Sequence, residues 1–309
     1  MLLKLNNISK SFEEKVAVHN LSMDIQAGLI YGIIGPNGAG KTTTIRMVMN
    51  ITIPDSGEVL YKDKKIDESF KNIVGYLPEE RGLYKKLTLA ETIRYMGMLK
   101  NKSSKEISSK IDYWLKRVDL IEYKDKKVEE LSKGMAQKLQ FITTVIHDPE
   151  IIILDELFSG LDPLNMEVIK SIILEMKRSG KTILFSTHVM EQAEKLCDNI
   201  CMIAGGEKVL DGKLADIKED FGRNSIHLEF EGDGSFINEI SGIKSVIDFN
   251  NYKELVLEKE RDTNSILKQI ADKVTVKKFD IVDPSLYDIF IEKAKQASLS
   301  APATAKEIG

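Results

Sequence analysis

This chain of 309 residues offers little to covalent or metal scaffolding. It has two cysteines, Cys197 and Cys201, and neither sits in a metal-binding or redox motif. Small thiols buried in a reducing compartment are the reading left. There is no excess of positive charge, since 44 Lys and Arg stand against 48 Asp and Glu, a formal net charge of −4. That argues against a general nucleic-acid binder, though it is compatible with a local basic patch. No apolar run approaches membrane-spanning length. The first residues, Met1 to Asn7, lack the charged, apolar and small-residue regions of a signal peptide, so the chain reads as cytoplasmic. With 42% hydrophobic and 30% charged residues, it can bury a sizeable core and form two domains.

The most informative stretch is Gly35-Pro36-Asn37-Gly38-Ala39-Gly40-Lys41-Thr42-Thr43, which fits the phosphate-binding pattern G-x-x-x-x-G-K-[ST]. Glycines let the backbone curl so that successive N–H groups point at phosphate oxygens. Lys41 brings an ammonium to the β- and γ-phosphates, and the Thr42 hydroxyl can ligate Mg²⁺. The apolar run 29–34 before the loop predicts a buried strand, and 43–49 continue as a helix whose positive end joins the anion site. The motif occurs once, so the chain carries one set of nucleotide-binding parts.

Loose alternation over residues 1–27 predicts short strands. Phe12 there is an exposed aromatic that either stacks on a purine or caps a sheet edge. Strands are expected at 57–61 and 73–77, the latter stopped by Pro78. Thr88-Leu89-Ala90-Glu91 fits a capping box opening a helix to about Lys100, and Ser103-Ser104-Lys105-Glu106 fits a second. Ser132 caps a third helix. Ile151-Ile152-Ile153-Leu154 reads as a fully buried strand with Asp155 and Glu156 at its carboxyl end, where functional carboxylates lie in open α/β sheets. Another strand, 182–186, precedes His188, and 200–210 form a hairpin about Gly205-Gly206. The fold class is therefore α/β, with a helical insertion at about 82–148 in a nucleotide-binding domain of residues 1–222. A boundary is expected at 222–224. The order strand, helix, strand, strand, helix, strand over 223–297 predicts a small ferredoxin-like α+β domain, then a helix after Pro284 and a disordered tail at 298–309.

Asp155 after four apolar residues is the second half of a phosphate-loop nucleotidase; such an aspartate holds Mg²⁺, and Glu156 can activate the attacking water. Taken with Leu131-Ser132-Lys133-Gly134-Met135, Ser159-Gly160-Leu161-Asp162 and Ser186-Thr187-His188, the order of parts resembles the ATP-binding subunits of ABC transporters over residues 1–215. The resemblance implies an ATPase using ATP and Mg²⁺, with Glu156 and His188 catalytic. It places Phe12 on adenine, and Gly35, Asn37, Gly38, Gly40, Lys41, Thr42 and Thr43 on the phosphates. It gives Thr42, Asp155 and Glu79 to the metal, turns Ser132 and Gly134 toward the γ-phosphate bound to a second subunit, and counts Asp162, in the D-loop, among the nucleotide-binding residues. Two protomers would then sandwich two ATP molecules, as a homodimer, with residues 82–130 docking a membrane permease on the inner face of the membrane. Residues 76–84, the signature and Asp283-Pro284-Ser285-Leu286-Tyr287-Asp288-Ile289-Phe290 look like ABC-2-type export ATPases, the sodium-efflux subunits among them.

The chain departs from the family's pattern in places. Glu79 stands for the usual glutamine, Lys133 and Met135 for Gly and Gln in the signature, and Leu157 for a proline. Two other readings are a soluble ABC ATPase acting on ribosomes or DNA, and a nucleotide-gated binding module with weak hydrolysis. The first is disfavoured by acidic charge and a single ATPase half; a turnover assay separates the second. The transported substrate is not legible, because in this mode the cargo never touches the ATPase.

Overall fold

The computed structural model describes residues 1–13, 15–80, 82–221, 225–249, 251–258, 262–282, 284–291 and 293. The expected boundary at 222–224 and tail at 298–309 lie outside the described residues. The chain divides into two compact units, Met1–Gly212 and Lys213–Gly309. The division falls ahead of the expected boundary because the helix Leu214–Phe221 goes with the second unit.

The first unit begins β1 (Leu3–Phe12), β2 (Lys15–Ile25), β3 (Ile30–Ile34), α1 (Lys41–Val48), β4 (Ser56–Tyr61), β5 (Lys64–Lys65), α2 (Phe70–Ile73) and β6 (Val74–Leu77). It continues α3 (Leu89–Met98), α4 (Ser104–Arg117), α5 (Lys133–Val145), β7 (Ile151–Asp155), α6 (Pro163–Arg178), β8 (Thr182–Thr187), α7 (Met190–Leu196), β9 (Asn199–Ala204) and β10 (Glu207–Lys213). Strands β3 and β7 are buried at every residue, which is why they read as unbroken apolar runs rather than alternating ones. They lie in a sheet of order β10-β9-β3-β8-β7-β6, and β6, β7, β8, β3 and β9 run parallel. An antiparallel sheet of order β2-β1-β4-β5 faces it. Between them Ile45, Met47 and Val48 of α1 join one core with Ile8 and Leu21 of the antiparallel sheet and Ile33 and Ile153 of the parallel one.

The parallel register aligns the functional ends. Ile34 lies opposite Thr187, and Asp155 opposite Ser186. The glycine loop, the carboxylate pair and His188 therefore emerge at one edge, the carboxyl edge, of the sheet.

The helical insertion is α3, α4 and α5. Thr88 and Glu91 form the reciprocal cap expected of them, at 3.2 Å and 2.8 Å. At the second cap only the Ser103 half is present: its hydroxyl accepts from the Glu106 N–H at 3.2 Å. The helix opened by Thr88 ends at Met98 rather than Lys100. Among the described residues no helix is long and apolar enough to cross a membrane.

The second unit holds α8 (Leu214–Phe221), β11 (Ser225–Glu231), β12 (Ile243–Asp248), β13 (Lys253–Leu257), α9 (Thr263–Ala271) and β14 (Thr275–Val282). Its strands form an antiparallel sheet of order β12-β13-β11-β14, the ferredoxin-like order. The first expected helix is a 3₁₀ turn, Ser235–Glu239. Ile237, Ile266 and Ile270 pack on Ile226, Leu228 and Leu255 as a separate small core.

Candidate functional site

The glycine loop owes its path to backbone that only glycine tolerates. Gly35 has φ of 154°, and a Cβ there would sit 2.1 Å from the Ile203 carbonyl. Gly40, the residue before α1, has φ of 104°, with a Cβ 2.4 Å from the Ala17 carbonyl. The loop is therefore pressed between β9 and β2 and cannot relax away from the helix start. Lys41 follows at the first helical position. Its side chain is buried, and its ammonium donates to the carbonyls of Gly35 at 2.9 Å and Pro36 at 3.1 Å.

The loop borders a cleft of about 440 Å³. Asn37, Gly38, Gly40, Lys41, Thr42 and Thr43 line one side, and Phe12, Lys15, Glu79 and Glu156 the rest. Phe12 is half exposed, with the Lys10 ammonium 5.6 Å from its ring centre. It occupies the cleft wall, which a residue that merely capped a sheet edge need not do.

Of the two carboxylates at the end of β7, Glu156 lines the cleft and Asp155 does not, and they are held differently. Asp155 is fully buried; one oxygen accepts from the Ser186 hydroxyl and the other, Oδ2, has no partner among the described residues. Burial raises its carboxyl above the usual range, opposed by the Ser186 and Thr42 hydroxyls and by Lys41. Glu156 has a left-handed backbone, φ of 51°. Its N–H donates to the Ser186 carbonyl at 3.2 Å, which turns the chain sharply out of β7. Its side chain then lies between Lys41 and His188: Oε1 is 3.6 Å from the Lys41 ammonium, and Oε2 is 3.0 Å from Nδ1 of His188.

An unpartnered buried oxygen on Asp155 beside the Thr42 hydroxyl is a hard, oxygen-only donor set of the kind Mg²⁺ takes, with the phosphates supplying further oxygens. The site fits that ion on chemistry. Glu79, exposed on the cleft wall, adds a third carboxylate.

Ser132, Gly134 and Asp162 do not line this cleft. They form a second cluster. Ser132 caps α5, accepting from the Met135 N–H at 3.3 Å. Asp162 caps α6, accepting from the Asn165 N–H at 3.0 Å. The two helix starts are joined: Gly134 faces Leu161, the Lys133 stem lies against Gly160, and Lys138 donates to Asn165 at 3.0 Å. Deeper, Gln137 Nε2 donates to the Leu157 carbonyl at 2.7 Å. Leu157 itself is fully buried, so the residue replacing the expected proline contributes core packing and a buried acceptor.

Four contributors were not singled out from the sequence. Ser186 touches both Asp155 and Glu156, and the strand register that puts it opposite Asp155 was the available signal. Gln137 is a polar residue on the inward face of an otherwise apolar helix. Tyr76, on β6, has a phenol pushed up to about 12, chiefly by burial and then by Asp155. Lys15 faces Phe12 across the β1–β2 hairpin and lines the cleft with it, and no motif marks it.

The profile described as "ABC transporter" matches residues 18–159, and that described as "ATP-binding protein DrrA1-3-like, C-terminal domain" matches residues 212–294. An uncharacterized ABC transporter ATP-binding protein, YhaQ of Bacillus subtilis, is 40% identical over 94% of this chain and 98% of its own. The Nod factor export ATP-binding protein I of Cupriavidus metallidurans is 35% identical over 69% of this chain and 71% of its own. The dimeric post-hydrolysis structure of the cassette MJ0796 bound to ADP and Pi superposes with a TM-score of 0.63 at 25% identity, covering 69% of this chain and 99% of that one. On these similarities, this chain belongs to the ATP-binding, ATP-hydrolysing proteins of the ABC transporter family.

Proposed function

We propose that the chain works as one half of a nucleotide-sandwich dimer that powers export through a separate membrane permease. The observation that carries this reading is the separation of two phosphate-binding parts. Lys41 and its loop line the nucleotide cleft, whereas the start of α5, with Ser132 and the Gly134 N–H, stands outside it. A helix start is an anion site. A second copy related by a twofold axis would bring its α5 over this chain's γ-phosphate and take the same in return.

Within each site Phe12 stacks on the adenine, the loop N–H groups and Lys41 hold the phosphates, and Thr42, Asp155 and Glu79 are the groups that would hold Mg²⁺. Bound there, the ion would neutralise charge on the β- and γ-oxygens. Glu156 takes the proton of the attacking water as its oxygen bonds to the γ-phosphorus and the bond to ADP breaks. His188, through its contact with Oε2, keeps that carboxylate aimed. Lys41 is 3.6 Å from Glu156, so phosphate competes for the lysine and frees the base when ATP arrives. The Nod factor relative's role in export and the DrrA-like second domain favour an exporter. Peripheral attachment to the inner face of the membrane, through residues 82–130, follows from that reading.

The test is light scattering of purified Glu156→Gln chain. With ATP and Mg²⁺ it should double in mass, and Ser132→Arg in the same background should abolish the change. A monomer under both conditions, or a dimer indifferent to Ser132→Arg, would refute the sandwich. Recovery of a polytopic membrane protein with the trapped chain supports the permease; recovery of ribosomes or nucleic acid alone overturns it.

A further inference from the structure

The two lysines beside Phe12 are used differently. Lys10 lies two residues before it on β1, with its ammonium over the ring, 5.6 Å from the centre. That ammonium is held by Asp55 at 2.6 Å, and the other Asp55 oxygen accepts from the Ser11 N–H at 2.8 Å. Lys10 is thereby committed to fixing the ring and this end of β1. Lys15 opens β2 and pairs directly opposite Phe12. Residues opposed across a strand pair share a face, with Cβ atoms about 4.5–5.5 Å apart. Lys15 is exposed, lines the cleft, and is in no ion pair among the described residues.

The end of the cleft built by β1 and β2 is short of acceptors. Its lining residues are Phe12, Lys15 and Ala17. A phenyl ring and a methyl group carry no hydrogen-bonding atom, and an ammonium only donates. The Ala17 carbonyl is pressed on Gly40, where a Cβ would meet it at 2.4 Å. The carboxylates on the wall serve the other end: Glu156 is 3.6 Å from Lys41, and Glu79 belongs with the ion in the mechanism above. A base held against Phe12 therefore meets a donor and no side-chain acceptor. On the edge that carries N7, guanine presents two acceptors, N7 and O6, whereas adenine presents N7 beside an amino donor. A donor-only head matches guanine at both atoms. It matches adenine at one and opposes it at the other.

We propose that Lys15 reads the N7 edge of the purine, and that the cleft therefore takes GTP as well as ATP, and takes GTP more tightly. The proposal rests on the reading that Phe12 stacks on the base. Stacking by itself does not separate the two nucleotides, because every base has a π-face. The loop and Lys41 meet phosphates common to both. Discrimination falls to Lys15, a residue outside every phosphate-binding motif in the chain.

The test is displacement of a fluorescent ATP analogue from the purified full-length chain with Mg²⁺, by ATP, GTP, ITP and 7-deaza-GTP in turn. GTP should bind about fivefold more tightly than ATP, the low end for a paired base-edge contact, because Lys15 is exposed. ITP keeps O6 and N7 but lacks the 2-amino group, and should match GTP. The 7-deaza nucleotide lacks N7 and should bind more weakly than GTP. Lys15→Met should equalise ATP and GTP by weakening GTP, and Lys15→Glu, which supplies an acceptor, should favour ATP. Phe12→Ala should weaken both nucleotides alike, by about tenfold. Both positions are exposed, so neither change disturbs the core. A parent chain that binds ATP as tightly as GTP or more so, ITP that binds like ATP, or Lys15→Met that weakens both equally overturns the proposal. If Phe12→Ala still weakens both, the stacking reading stands without it. If Phe12→Ala leaves both unchanged, the stacking reading itself fails and this proposal with it.

Discussion

Two glutamines on α5 provide a paired test of how the ATP-binding unit is held together. Gln137 and Gln140 are equally buried, at 4% and 5% exposed, three residues apart on one helix. Gln137 Nε2 donates to the Leu157 carbonyl at 2.7 Å, whereas Gln140 Oε1 accepts no hydrogen bond among the described residues. Methionine matches glutamine in length and keeps the packing. Gln137→Met leaves the Leu157 carbonyl buried and unpaired, a cost of about 2 kcal/mol within the usual ~1–3. For a unit of this size each kcal/mol moves the midpoint by roughly 2–4 °C, so a fall of about 4–8 °C is expected. Gln140→Met removes an unpartnered oxygen and should leave the midpoint unchanged or raise it by about 1–3 °C. The assay is thermal unfolding of the nucleotide-free chain followed by circular dichroism. Equal losses in both variants would mean that burial alone, not hydrogen-bond satisfaction, sets their worth, and the account of α5 would fail.

Lys41→Ala should lose at least tenfold in ATP affinity, read by fluorescence titration; equal affinity for mutant and parent would remove the glycine loop from the nucleotide site. Gly35→Ala and Gly38→Ala should separate sharply. The first drives a Cβ to 2.1 Å from a backbone carbonyl, while the second has φ of 77° with nothing within 4 Å, so only the second, at about 1–2 kcal/mol, should still bind ATP. Burial and Lys100 depress His147 to about 4 in the folded chain, against 6.5 unfolded. A depressed histidine adds stability above pH 6.5 that is lost as pH falls through 4, about 3 kcal/mol in all. His147→Leu should flatten the urea midpoint between pH 6.5 and 4, and an unchanged slope would place the acid sensitivity elsewhere.

Much of this site could be read in advance because its chemistry is local in sequence. A glycine loop followed by Lys and Thr, or four apolar residues ended by Asp and Glu, specifies its own backbone and its own charge. The ferredoxin-like order was likewise carried by the succession of strands and helices along the second unit. What could not be read depends on register and on residues far apart. Ser186 bridges Asp155 and Glu156 only because β7 and β8 run parallel with those residues opposed. Helix ends slipped for a related reason: Ser235–Glu239 has the apolar spacing of a helix, but the short connection tightens it to a 3₁₀ turn.

Leu157 shows how a departure from a family pattern can be structural rather than a loss. It follows Glu156, the base in the proposed mechanism, where a proline was expected. A proline would also offer a carbonyl to Gln137, so the hydrogen bond does not explain the change; the fully buried side chain does, because leucine fills core volume that a pyrrolidine ring cannot. The bond matters for a different reason. It ties α5, whose start serves the partner's γ-phosphate in the proposed dimer, to the residue directly after this chain's own base. Lys133 against Gly160 and Lys138 on Asn165 repeat the tie at the surface. A shift of α5 when ATP is gripped on the far side therefore pulls on the backbone that aims Glu156. On that geometry the two sites of a dimer are mechanically linked, and Gln137→Met should lower the Hill coefficient of ATP turnover toward one while Lys41 still binds nucleotide normally.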